Sequence, residues 1–135
     1  MKKATNTDLS WSEDRLQQEI VMWFHNSYPQ YRGLLFSVPN GLMILNEKGE
    51  KNWTMIKRFK RTGMWSGVSD LILLFSGRAY LMELKRPDGK NGQSKDQLDW
   101  QEKVELQGFD YKLFNDLLEM KEFITNIVDG IKNKW

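Results

Sequence analysis

The 135-residue sequence contains no cysteine and one histidine, His25. The first absence excludes disulfides and thiolate metal centres and suits a reducing, cytoplasmic setting. The second excludes mechanisms and metal sites built on several imidazoles. His25 itself, near the end of a helical pattern, reads as a surface residue that compensates the helix dipole. No apolar run approaches the ~20 residues of a membrane span. The start, "MKKATNTDLS", is basic but has no apolar stretch behind it, so it does not read as a signal peptide, and residues 1–9 read as a flexible tail. Acidic residues are missing from Lys51 to Val68, whereas Lys51, Lys57, Arg58, Lys60 and Arg61 all fall there. They gather instead from Asp96 to Glu122. A net charge of only +2 thus hides a basic centre beside an acidic C-terminal half, a pattern that suits an anion-binding face and equally a solvated lysine-rich loop.

The remaining composition, 40% hydrophobic and 28% charged, is that of a soluble globular chain long enough for one domain, 1–135, and too short for two. "SWSEDRLQQEIVMWFHNSYP" reads as a helix, with Ser10 and Glu13 as a capping box and Leu16, Ile20, Trp23 and Phe24 as its apolar stripe. Glu19 falls within that stripe, and a carboxylate there needs a partner. "LLFSVPNGLMIL" reads as a strand, a Pro39-Asn40-Gly41 turn and a second short strand. The segment "WTMIKRFKRTGMWSG" has helical spacing at Met55, Ile56 and Phe59 that glycines interrupt. Two strands follow, "VSDLILLF" and "RAYLMELK", then a polar glycine-rich loop. Ser94 with Gln97 makes a capping box for a helix ending near Gly108, "FDYKLF" is a further strand, and Asp116 caps a last helix along Leu117, Met120, Ile124, Ile127, Val128 and Ile131. The order defines a mixed α/β fold. The face of the last helix fits its own sheet or a dimer seam.

A two-residue turn at Ser76-Gly77 pairs Phe75 with Arg78 and brings Asp70 opposite Glu83, with Cβ atoms roughly 5 Å apart. Lys85, two residues beyond Glu83, shares their face. Two carboxylates that close repel each other, and a divalent cation removes the conflict. Oxygen ligands without His or Cys are the set of Mg²⁺ or Mn²⁺. The bland reading is a cross-strand salt bridge on a solvated face. Ile72, Leu74, Ala79 and Leu81 on the same face weigh against it, because they predict a helix covering that face.

The split pattern Asp70…Glu83-Leu84-Lys85 resembles the signature of the PD-(D/E)xK nuclease superfamily. With Glu19 on the first helix, "PNG", "GMWSGVSD" and "ELKRPDGKNGQSKDQLDW", it resembles the virus-type replication-repair nuclease family, VRR-NUC, from about Leu16 to Phe114. The resemblance implies a restriction-endonuclease-like core, a mixed β-sheet flanked by helices in the order αβββαβ. It implies Asp70, Glu83 and Glu19 as metal-binding carboxylates, Glu19 through water, Lys85 as the catalytic lysine and Gln97 beside the site. It further implies a Mg²⁺-dependent DNA endonuclease, with Mn²⁺ as a substitute. Such an enzyme would cut branched DNA such as Holliday junctions as a homodimer, in a bacterial or phage-infected cytosol. The family's usual proline before the aspartate is Ser69 here.

Lys51, Lys57, Arg58, Lys60, Arg61, Lys90 and Lys95 then read as backbone-phosphate contacts. Trp53 and Trp65 are candidates for stacking on unpaired bases, although core packing is the commoner role of tryptophan. Three other readings stay open, a sequence-specific restriction-like nuclease, a non-catalytic DNA-binding module, and a structural or assembly protein in which the charges are merely paired.

Overall fold

A computed structural model of the chain describes residues 12–39, 44–86 and 92–133, with side chains to residue 130. The expectations resting on residues 1–9, Ser10, Asn40, Gly41, Lys90 and the side chain of Ile131 lie outside these. Helix α1 runs over Glu13–Ser27 and is capped by Ser12, whose hydroxyl accepts from the Arg15 N–H at 3.0 Å. The start is therefore two residues later than a Ser10 cap would put it. A 3₁₀ turn, Pro29–Tyr31, follows. Strand β1 is Leu35–Ser37. Where a second short strand was expected, the described residues hold a single bridge between Leu45 and Lys51.

The glycine-interrupted segment resolves as a helix, α2, over Trp53–Arg61, because Asn52 caps it through the Met55 N–H at 3.1 Å. Strands β2, Leu71–Phe75, and β3, Arg78–Leu84, form the hairpin. Ser76 and Gly77 have φ of 53° and 77°, the paired positive values of the turn that matches strand twist. Phe75 pairs with Arg78 and Leu71 with Met82, the expected register. Helix α3 spans Lys95–Leu106, β4 Asp110–Phe114 and α4 Leu117–Asn133. Asp116 caps α4 by accepting from the Glu119 N–H at 2.9 Å.

The sheet order is β1-β2-β3-β4, antiparallel except for the parallel β3–β4 pair. Alternation sends Leu71, Leu73, Tyr80, Met82 and Leu84 to one face, where they meet Leu16, Ile20 and Phe24 of α1 and Met120, Ile124 and Val128 of α4. Burying each of these large side chains contributes about 1.5–3 kcal/mol. The apolar face of α4 is thereby used within its own chain. Among the described residues no helix is long and apolar enough to cross a membrane.

The opposite face carries Ile72, Leu74, Ala79, Leu81 and Glu83, and its cover is only partial. Helix α3 lies over the Glu83 end, with Trp100 edge-on to Tyr111 at 6.1 Å. Leu81 and Glu83 are buried there, but Leu74 and Leu113 stay exposed. A short helix that buries no residue fully covers half a sheet face, not all of it.

Candidate active site

Four elements meet where β2 begins and β3 ends. Asp70 immediately precedes β2, and its Oδ2 accepts from the Leu84 N–H at 2.7 Å. Ser69, fully buried, donates from its hydroxyl to the Leu71 carbonyl at 3.3 Å, so a hydrogen bond restrains the approach to Asp70. Glu83 is only 1% exposed. Its Oε2 accepts from Gln97 Nε2 at 2.6 Å and lies 3.7 Å from Lys85 Nζ. Its Oε1 is buried and has no hydrogen-bond partner.

Lys85 donates to Gln97 Oε1 at 3.0 Å and to the Gly92 carbonyl at 3.3 Å. Gln97 thus touches both catalytic candidates while closing the capping box of α3, where its Oε1 also accepts from the Ser94 N–H at 2.9 Å. The capping position and the position beside Glu83 and Lys85 are occupied by one amide.

The electrostatics follow from burial. Desolvation, then the charge of Asp70, pushes the Glu83 carboxyl up to about 8, against the pull of Lys85. Desolvation also raises Asp70, which the Leu84 N–H partly offsets. Two buried carboxyls side by side resist ionising together.

The helix-borne carboxylate electrostatically coupled to this cluster is Glu13. Burial raises its carboxyl while Lys85 lowers it, Asp70 raises it and Arg86 lowers it. Glu19 lies elsewhere, with Arg15 Nε 4.0 Å from its Oε2. The reason is helical geometry. At 100° per residue, the buried residues Leu16, Ile20 and Phe24 span an arc whose midpoint Glu13 meets within ~20°, whereas Glu19 is ~100° away and ~9 Å further along the axis. That spacing was present in the sequence as a signal. The cap two residues early obscured it, because it made Glu13 a capping residue rather than the first position of the stripe.

A cleft of about 310 Å³ opens beside the cluster, lined by Asp70 and Gln97 and walled by Trp53, Trp65, Lys51 and Lys60. Lys57, Arg58 and Arg61 are exposed on α2 but do not line it. Lys95 is tied to Asp99 at 2.9 Å on the surface of α3. Gly67 forms the contact between the cleft wall and α3. Its φ is +92°, and a Cβ there would collide with the Asp96 carbonyl and stand 2.9 Å from the Gln97 nitrogen. Gly67→Ala is therefore expected to force α3 off the loop and lower the melting temperature by about 4 °C or more. Gly63→Ala, at φ +119° with open space around it, carries backbone strain alone. Equal melting of the two variants would show that the Gly67 contact is not needed.

A mixed four-stranded sheet flanked by helices, with two neighbouring carboxylates and a lysine at one strand end, makes this an α/β fold. The fold is VRR-NUC-like: the chain is similar to a solved structure described as a VRR_NUC domain protein, with a TM-score of 0.65 over 88% of this chain and 89% of that one. The two are 18% identical, so the likeness is one of fold. No protein-family profile and no curated protein matches the chain.

Proposed function

We propose that this protein is a metal-dependent nuclease that hydrolyses phosphodiester bonds in DNA, with branched DNA as its substrate. The observation that carries this reading is the buried, unpartnered Oε1 of Glu83 facing Asp70, with Lys85 bound beside them, on a VRR-NUC-like fold. Pure DNA binding has no use for facing carboxylates, which repel phosphate.

The donor set fits a divalent cation. Asp70 and Glu83 offer oxygens only, the preference of Mg²⁺ or Mn²⁺, and the orphaned Oε1 is an acceptor that a cation would satisfy. Among the described residues no three acidic or imidazole side chains form a cation site by themselves. Asp70 and Glu83 would hold the ion, and Glu13, whose charge couples to both, is the helix carboxylate that would act on it through water. The ion, when bound, would supply Lewis-acid polarisation of the phosphate and an attacking water of lowered pKa.

The chain's own residues do the rest. Gln97 orients Glu83 from one side and Lys85 from the other, which fixes the distance between carboxylate and ammonium. Lys85 places a positive charge where negative charge grows on the phosphate during in-line attack. Lys51 and Lys60 hold the backbone without reading bases. The resemblance to VRR-NUC enzymes supports branched DNA and a homodimer that places two such sites on one junction.

The test is cleavage of end-labelled flap, four-way junction and linear duplex with Mg²⁺, Mn²⁺ or EDTA. Metal-dependent cutting is the expected result, with paired symmetric nicks in the junction for a dimer. Glu13→Gln is expected to slow cleavage roughly a hundredfold, and Glu19→Gln less than threefold. The reverse order would return the helix carboxylate to Glu19. Binding without cutting under either metal would leave only a DNA-binding module.

A further inference from the structure

Trp53 and Trp65 are 57% and 60% exposed, and both stand on the walls of the cleft that contains Asp70. Indoles lose a large burial gain when left in water, so two such rings flanking one cleft beside the site are not explained by folding. Each ring carries an ammonium over it, Lys51 Nζ at 5.1 Å from the Trp53 centroid and Lys103 Nζ at 5.2 Å from that of Trp65. A flat π surface with an adjacent cation is the pairing that receives a base and its phosphate.

We propose that this cleft takes an unpaired nucleobase of the DNA substrate, held between or against Trp53 and Trp65, and thereby selects DNA with a single-stranded segment next to the cut. The proposal deepens the nuclease reading and rests on it for the identity of the ligand as DNA. The volume, about 310 Å³, is at the small end of ligand sites and takes one nucleotide, not a double helix. Asp96 on the same lining offers an acceptor for the exocyclic amine of a base, while Lys51 and Lys60 elsewhere on the lining take the adjoining phosphates. Paired bases keep their faces stacked on each other and cannot enter. With Asp70 on the lining, a base seated there leaves the adjoining phosphodiester at the carboxylates.

The test places 2-aminopurine at successive unpaired positions of a flap and follows its emission on binding in EDTA. Quenching at one or two positions next to the duplex is expected. Trp53→Ala and Trp65→Ala should each abolish part of that quenching and reduce the preference for flap over blunt duplex about tenfold. Trp65→Phe should keep most of it. Both rings are exposed, and melting temperatures within about 2 °C of the parent will show that the variants fold. Unchanged emission at every unpaired position while the flap is bound would overturn the clamp, even if the flap is cut. Tryptophan-dependent quenching with no cutting under any metal would support the clamp and remove the nuclease.

Discussion

Glu83→Gln is expected to lower cleavage about a thousandfold or more and, at alkaline pH, to make the protein more stable than the parent. The two effects share one cause. Glu83 is buried against Asp70, and its carboxyl is pushed up to about 8 from an ordinary value near 4.5. The folded chain therefore keeps the proton to a higher pH than the unfolded chain does. Stability linked to this group is fully present below about 4.5 and is lost as the pH rises through about 8. Glutamine stays neutral throughout, so its variant escapes that loss. Melting in EDTA should show the parent falling between pH 5 and 9, with the variant's curve separating from it by several °C at the upper end. Mg²⁺ should raise the parent at pH 8–9 and leave the variant nearly unmoved. Parallel curves across the whole range would mean that the charge on Glu83 is not costly in the fold.

Lys85→Ala is the second large effect, again about a thousandfold in cleavage, with most of the affinity for DNA retained. The ammonium is held by Gln97 Oε1, the Gly92 carbonyl and Glu83, in a space shaped for a compact charge. Lys85→Arg should not restore activity, because a planar guanidinium cannot point its donors at those three oxygens from one position. Single-turnover cleavage and gel-shift titration in EDTA separate the two quantities. A rate within tenfold of the parent would remove Lys85 from the chemistry. Loss of binding in step with the rate would make it a DNA contact only.

The parts of this arrangement that were legible in the sequence are those governed by local geometry. A two-residue turn sets the register of its whole hairpin, so the pairing of Asp70 with Glu83 followed from Ser76-Gly77 alone. The capping box of Ser94 and Gln97 was equally local, but that the same amide would reach across to β3 was not. That contact depends on where α3 docks, which the loop before it and Gly67 decide. The place of Glu13 at the head of the buried stripe was hidden for a nearer reason, since a cap read at Ser10 instead of Ser12 changes which carboxylate heads it. The partial cover over Leu74 and Leu113 was not legible, because the apolar pattern of a strand shows which residues share a face and not how far a helix extends over it. The exposure of Trp53, at the start of α2, and of Trp65, in the loop after it, was open because it depends on how that helix and loop dock on the rest.

Helix α3 buries none of its residues fully, and its apolar Leu98 and Leu106 face water. It is held by the Trp100–Tyr111 contact, the bond of Gln97 to Glu83, Gln93 bridging Gln101 and Tyr111, and the Gly67 loop against its first turn. Elements anchored so lightly open locally at far lower cost than the whole domain. Gln97 belongs to that helix, whereas Glu83 belongs to the best-buried strand, so the constellation joins a lightly buried element to the core. The cleft is built from both sides of this seam, with Trp53 and Trp65 on one and Ser94, Asp96 and Gln97 on the other. Anything that fills it holds α3 to the rest and favours its docked position by mass action. Under the proposed nuclease reading, filling the cleft and holding Gln97 against Glu83 and Lys85 are then a single thermodynamic event.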